Sequence, residues 1–226
     1  MRKLFFQLTM LIFFLIGCTE PVSRDLNPRI LAMGDSLLAT HEMSGNSVSH
    51  AIEEFLGEPV IDRSVAGARF FYALPISGAM GMNISKQYRP GNWDWVVLNG
   101  GGNDLWLGCG CILCNRKLNR LIASDGESGK IPTLISDLRE TGARVIFVGY
   151  LRSPGVGSLI EHCKDEGDEL ERRINNFANQ DEGVYFLSLK DLVPDGDRSF
   201  HTVDMIHPSV RGSAAIGARV AQIIRQ

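Results

Sequence analysis

Ser36 stands in Gly34-Asp35-Ser36-Leu37, directly after the apolar run Ile30-Leu31-Ala32-Met33. A serine hydroxyl is a weak nucleophile until a base takes its proton. His207 is a candidate base, and Asp204 precedes it within Asp204-Met205-Ile206-His207-Pro208. That spacing lets the carboxylate accept an imidazole N–H on one turn. Such a bond sets the tautomer and stabilises the imidazolium formed when the ring takes a proton. Two further polar blocks follow apolar runs: Arg63-Ser64-Val65-Ala66-Gly67, and Gly101-Gly102-Asn103-Asp104. Each block has a plainer reading by itself. Ser36 suits a helix N-cap, Asn103 and Asp104 suit a turn, and His207 ahead of Pro208 suits a helix start.

Strands and helices must place these blocks. Short apolar runs read as strands at 29–33, 59–61, 95–98, 143–149 and 184–187. Apolar residues at a 3.6-residue period read as helices over 47–56, 131–141, 167–179 and 209–225. Strands alternating with helices imply one α/β domain, a three-layer α/β/α sandwich around a mainly parallel five-stranded sheet. Strands that are apolar throughout, rather than alternating, suit a sheet covered on both faces. Sites in such sheets form beyond the carboxyl ends of the strands. Three of the blocks follow strand ends, and the fourth precedes the last helix.

With these blocks in this order, the chain resembles the SGNH hydrolases, also called GDSL esterases. The resemblance spans residue 30 to the C-terminus and implies a flavodoxin-like fold and ester hydrolysis. It implies Ser36 as nucleophile, His207 as base and Asp204 as the base's partner. It further implies an oxyanion hole from the Ser36 N–H, the Gly67 N–H and the Asn103 side-chain amide. Gly67 suits that place because no Cβ holds a ligand off the backbone. Asp35 and Asp104 are expected to hold loops by hydrogen bonds. His41, His50 and His162 sit in no motif, and His201 is the rival base.

Other signatures are missing. No G-x-S-x-G elbow occurs. Gly126-Glu127-Ser128-Gly129-Lys130 lacks the first glycine and the Ser or Thr of a phosphate loop. His41-Glu42 lacks the second histidine of a zincin. No cofactor is implied.

Two connections, 105–130 and 151–166, read as long loops over the site. They hold Cys109, Cys111, Cys114 and Cys163. With Cys18 set aside, these four of the five cysteines are an even number, which in an exported chain suggests disulfides. Pairing Cys109 with Cys111 is strained, so Cys163 is expected to reach back to the cluster, with three connectivities open. The competing reading is a thiolate zinc site, but Cys111-x-x-Cys114 is a single ligand pair where two are usual. A bridge between the two loops would make a stiffened rim. Trp106, Leu107 and Phe70-Phe71-Tyr72 are candidates to line an acyl pocket.

At the N-terminus, Arg2 and Lys3 precede an apolar run from Leu4 to Gly17. The run is shorter than the roughly 20 residues a membrane-spanning helix needs and reads as an export signal. Leu15-Ile16-Gly17-Cys18 resembles a bacterial lipobox, which implies removal of residues 1–17 and acylation of Cys18. Residues 18–28 read as the lipidated cysteine and its tether, and 29–226 as the hydrolase domain. Thr19 after the cysteine implies the periplasmic face of the outer membrane. Loss of Arg2 and Lys3 takes the net charge from −3 to −5. That balance excludes the basic excess needed to grip nucleic acid. The composition, 44% hydrophobic and 22% charged, excludes disordered and collagen-like chains.

Two function classes follow. One is a membrane-tethered serine hydrolase acting on a small-molecule, lipid or glycan ester or thioester: an acyl esterase, a lysophospholipase or a glycan O-acetylesterase. The other is a non-catalytic envelope lipoprotein using the fold as a binding module. The oligomeric state is not written in the sequence.

Overall fold

The computed structural model of the chain describes residues 27–155 and 157–226. The leader-like segment and Cys18 lie outside the described residues. The strands are β1 (Ile30–Met33), β2 (Val60–Asp62), β3 (Trp95–Leu98), β4 (Arg144–Val148) and β5 (Val184–Leu187). They form one five-stranded sheet in the order β2-β1-β3-β4-β5. Every pairing is parallel. The order reverses between β1 and β3, so a crevice opens where the chain leaves their carboxyl ends.

Side-chain alternation along each strand sorts the core into two layers. Leu31, Met33, Val96, Leu98, Val145 and Phe147 face one side. There they meet four helices: α3 (Gly102–Cys109), α4 (Asn115–Leu121), α5 (Lys130–Glu140) and α6 (Lys164–Ala178). Ile30, Ala32, Trp95, Val97, Ile146 and Val148 face the other side. These are covered by α1 (Ser36–Ala39), α2 (Val48–Leu56) and α7 (Val210–Ile224). The expected three-layer sandwich is the observed one, with all pairings parallel rather than most. Among the described residues, no helix is long and apolar enough to cross a membrane.

The strands and the four expected helices fall within a few residues of their sequence positions. Ser47 caps α2 and Ser209 caps α7 through their hydroxyls, which is why both helices begin there. The α6 helix starts earlier than expected, at Lys164. Asp165 and Glu166 in its first turn favour the positive end of the helix dipole. A larger correction concerns residues 105–130. They are not one long loop, because α3 and α4 occupy much of the stretch. Glycines and closely spaced cysteines interrupt the apolar pattern that would have revealed them.

The α2 and α7 helices pack closely because Gly217 has no side chain. A Cβ there would lie 2.5 Å from the Ala51 Cβ and 3.1 Å from the Ile52 backbone nitrogen. Gly217→Leu is therefore expected to force α7 off α2. The expected cost is about 1–3 kcal/mol or more of unfolding free energy, read from urea unfolding midpoints; an unchanged midpoint would refute this packing.

Candidate active site

β1 delivers Ser36 to the crevice through a clamped turn. The buried Gln87 side chain holds Gly34 on both edges. Its Oε1 accepts from the Gly34 N–H at 2.6 Å, and its Nε2 donates to the Gly34 carbonyl at 2.8 Å. The same Nε2 donates to the Gly81 carbonyl. Gly34 must be small, since a Cβ would lie 2.9 Å from the Asn99 carbonyl oxygen. Asp35 then caps α1, its Oδ1 accepting from the Leu37 N–H at 3.0 Å. Ser36 is thus the first residue of α1, and its neighbour performs the capping.

Tyr150, at the end of β4, joins this turn to the next one. Its hydroxyl donates to Asp35 Oδ2 at 2.7 Å and accepts from the Gly102 N–H at 2.8 Å. One phenol therefore ties the starts of α1 and α3. Burial pushes the Asp35 carboxyl up, and the Leu37 and Tyr150 donors work against that rise. Burial, with the Asp35 charge adding to it, holds the Tyr150 hydroxyl firmly protonated. Glu171 supports the arrangement from α6, accepting from the Tyr150 N–H and from Arg152. Sequence reading singled out neither Gln87 nor Tyr150. Gln87 lies 53 positions from Gly34, and Tyr150 lies 115 from Asp35.

His207 and Asp204 meet as expected. His207 Nδ1 lies 2.6 Å from Asp204 Oδ2. Asp204 Oδ1 accepts from the Thr202 hydroxyl and from the Ile206 and His207 N–H groups. Partial burial pushes the Asp204 carboxyl up, but these donors and the His207 ring outweigh it. The net result is a carboxyl held far below the usual range. Met205 between them adopts φ 57°, a left-handed turn that folds the His207 ring back onto Asp204.

Ser36, Asn103, Tyr150 and His207 line one cavity of about 310 Å³. No direct hydrogen bond joins the Ser36 hydroxyl to the His207 ring. The Asn103 side chain donates to the Ala68 carbonyl at 3.2 Å; a primary amide has a second N–H to offer. Asp104 holds the loop after β2, accepting from the Phe70 and Phe71 N–H groups. Burial pushes its carboxyl up, and those two donors oppose the rise. Gly67 sits on that loop at φ 78°, a conformation that favours glycine. A Cβ there would meet only Met82, at 3.6 Å, so backbone conformation rather than crowding explains the residue. Gly67 is outside the set of residues lining the cavity, but its loop runs beside Ser36 because the Val65 N–H bonds the Gly34 carbonyl.

Leu37, Leu105, Trp106, Ile160 and Met205 form an apolar part of the cavity wall, while Arg152, Lys164, Asp168 and Lys190 supply charge. Of the aromatic candidates, Trp106 lines the cavity, Phe70 is buried in the core and Leu107 faces solvent. Phe71 packs beneath the Lys117 and Arg120 side chains. The rival base His201 is buried outside the cavity wall, with neither ring nitrogen hydrogen-bonded among the described residues. Burial lowers its pKa and keeps it neutral.

Cys109 is bonded to Cys114, and Cys111 to Cys163. Cys163 lines the cavity, so the second bond ties the segment after α3 to the cavity's edge, as the rim expectation required. His162 lies beside these sulfurs. The bonded sulfurs offer no thiolate for a zinc ion.

Residues 32–215 match the GDSL-like lipase/acylhydrolase family. Solved structures with a similar fold include a GDSL-like lipase from Bacteroides thetaiotaomicron, at 18% identity and a TM-score of 0.60, covering 87% of each chain. Another is a carbohydrate acetylesterase family member from Sinorhizobium meliloti, at 15% identity and a TM-score of 0.59, covering 88% of this chain and 97% of that one. A third is a lipase from a goat rumen metagenome, at 17% identity and a TM-score of 0.55, covering 86% and 97%. At these identities the likeness concerns the fold. A search of curated proteins finds no match.

The clamps generate two expectations. Gln87→Leu leaves the buried Gly34 N–H without its partner, at about 1–3 kcal/mol, and strips one donor from the Gly34 carbonyl, which keeps only the Val65 N–H. Its urea midpoint should therefore fall sharply, and an unshifted midpoint would remove Gln87 from the scaffold. Asp204 has a depressed pKa in the fold, so its stabilisation is present above the unfolded carboxyl value of about 3.9 and is lost as pH falls through the folded value. Asp204→Asn should accordingly be less stable than the parent at neutral pH, with a deficit that shrinks on acidification below about pH 4. A deficit constant across that range would contradict the assignment.

Proposed function

Since the chain belongs to the GDSL-like lipase/acylhydrolase family, whose members cleave ester bonds, we propose that it does so through Ser36, His207 and Asp204. The observation that carries the reading is the His207–Asp204 contact of 2.6 Å in a cavity that Ser36 also lines. Asp204 holds His207 Nδ1, which leaves Nε2 to serve as base. Ser36 Oγ attacks the ester carbonyl carbon as its proton passes to Nε2. The oxyanion takes hydrogen bonds from the Ser36 N–H, the Gly67 N–H and the free N–H of the Asn103 amide. Collapse breaks the ester bond, and the leaving alkoxide takes the proton from the imidazolium. Water, deprotonated by His207, then attacks the acyl-enzyme carbonyl, and collapse breaks the bond to Ser36 Oγ, which takes the proton back from the imidazolium as the acid leaves. In free enzymes such catalytic hydrogen bonds are often long and tighten when substrate binds.

The cavity of about 310 Å³ is at the lower end of the range for ligand pockets. Its apolar lining residues, Leu37, Leu105, Trp106, Ile160 and Met205, suit a short or medium acyl group. The reading is therefore an acyl esterase, with lysophospholipase and glycan O-acetylesterase activities as the nearest alternatives. We also propose that residues 1–17 are a leader, that Cys18 carries the acyl anchor, and that residues 18–28 tether the domain of residues 29–226. The lipobox-like Leu15-Ile16-Gly17-Cys18 supports the leader and anchor, and Thr19 after it favours the periplasmic face of the outer membrane.

The test is hydrolysis of p-nitrophenyl acetate, butyrate and octanoate, run beside fluorophosphonate labelling. Ser36→Ala and His207→Ala should each lower kcat/KM by about 10⁴-fold or more, and Ser36→Ala should take no label. His201→Ala should retain turnover, and the rate should drop toward octanoate. A folded parent that neither labels nor turns over would shift the protein to the binding-module class. A His201→Ala variant that alone loses activity would overturn the choice of base.

A further inference from the structure

The large apolar side chains left exposed are unevenly placed. Among the described residues, three of them, Phe55, Leu107 and Val210, lie on helices that flank the sheet. The others all lie in connections that leave the carboxyl ends of the strands, the end that holds the cavity. The densest group surrounds the Cys111–Cys163 bond. Leu107 is 56% exposed, Ile112 76%, Leu113 86% and Leu159 74%. The neighbours of these residues, Trp106, Ile160 and Cys163, line the cavity. The disulfide brings the two segments to a Cα–Cα distance of 4.9 Å. Ordering four exposed apolar side chains on a cross-linked rim is costly in water, and a large exposed apolar patch marks a contact surface.

The helix that continues this rim is basic. α4 presents Arg116, Lys117 and Arg120, with no acidic residue between Cys109 and Leu121. None of the three has an ion-pair partner among the described residues, whereas many of the other surface cations, such as Arg29, Arg139 and Arg219, do. Lys117 and Arg120 rest over the Phe71 ring, which holds their charges beside the apolar tip. Acidic Glu161, Asp165 and Glu166 belong to the other segment bridged by the disulfide. The chain as a whole carries a net charge of −3, so this cationic helix stands against the general balance.

We infer that the rim formed by Leu107, Ile112, Leu113 and Leu159, with the cations of α4, is a docking surface for an anionic phospholipid bilayer. Apolar side chains enter the headgroup boundary while Arg116, Lys117 and Arg120 meet lipid phosphates. The occupant is a lipid surface because apolar and cationic groups stand side by side, a pairing that fits acyl chains beneath phosphates. Docked this way, the cavity mouth opens onto the bilayer. The inference concerns binding and stands apart from the hydrolase reading.

The test uses the full chain reconstituted from detergent into vesicles with brominated acyl chains. One set is phosphatidylethanolamine with phosphatidylglycerol, the other phosphatidylethanolamine with phosphatidylcholine. Tryptophan is introduced as Leu113→Trp, as Ile112→Trp in case the first fails to fold, and as Phe55→Trp for a control on α2. The added emission is read against the parent. The expected result is loss of most of the added emission at position 113 or 112 in phosphatidylglycerol vesicles, and none at position 55. The loss should be smaller in phosphatidylcholine vesicles and on adding Arg116→Gln, Lys117→Gln and Arg120→Gln. Unquenched emission at both rim positions would overturn the inference and leave the patch to a protein partner. Equal quenching at positions 55 and 113, or quenching indifferent to lipid and side-chain charge, would also overturn it.

Discussion

A buried hydrogen-bonded chain holds the site together: Leu37 N–H to Asp35, Tyr150 hydroxyl to Asp35, Gly102 N–H to Tyr150. Its members come from the ends of β1, β3 and β4. Each covers a polar group that burial would otherwise leave unpaired, and such networks rigidify only when every member is satisfied. Asp35 serves as helix cap and as the phenol's acceptor at once. Tyr150 in turn sets the first N–H of α3, and therefore the direction in which Asn103 leaves the sheet. Moving any one of these groups would displace the others, so Ser36 and Asn103 are placed as a pair.

The histidine side is built by a different device. The loop from Thr202 to His207 is short, and one carboxylate organises it. Asp204 gathers a hydroxyl and two N–H groups on one oxygen and the imidazole on the other. The left-handed backbone at Met205 costs of order 1–3 kcal/mol, and the converging donors offset it. Both halves open into one cavity whose wall mixes apolar and charged side chains. The disulfides stiffen its edge from outside the sheet. The rim can therefore expose apolar side chains without collapsing onto the core.

Much of this was legible in the residues alone. Parallel strands buried on both faces must be apolar throughout, and helices that cover them must show a 3.6-residue period, so β1 to β5 and four of the helices were readable. Polar blocks at strand ends are conspicuous for the same reason, which is why Ser36 and Asn103 could be named in advance, while Asp204 and His207 could be named from their spacing within one turn ahead of the last helix. The α3 and α4 helices were not legible, because Gly108, Gly110 and three cysteines break their apolar spacing. Gln87 and Tyr150 were not legible either. A lone Gln in a polar stretch, or a lone Tyr just past an apolar strand, has no distinguishing pattern, and the Gly34 and Asp35 groups they hold lie 53 and 115 positions away in the chain.

The sequence by itself determined the class of fold, the order of the four polar blocks and the local Asp204–His207 pair, because each depends on periodicity or on spacing along the chain. Tertiary structure alone decided which cysteine meets which, which histidine reaches the cavity, and which side chains clamp the turn before Ser36. It also decided that Phe70 is core while Trp106 lines the cavity. The physical reason is common to all of these. Each depends on how distant segments meet across the carboxyl edge of the sheet, and that meeting is set by strand order and helix packing rather than by residue type.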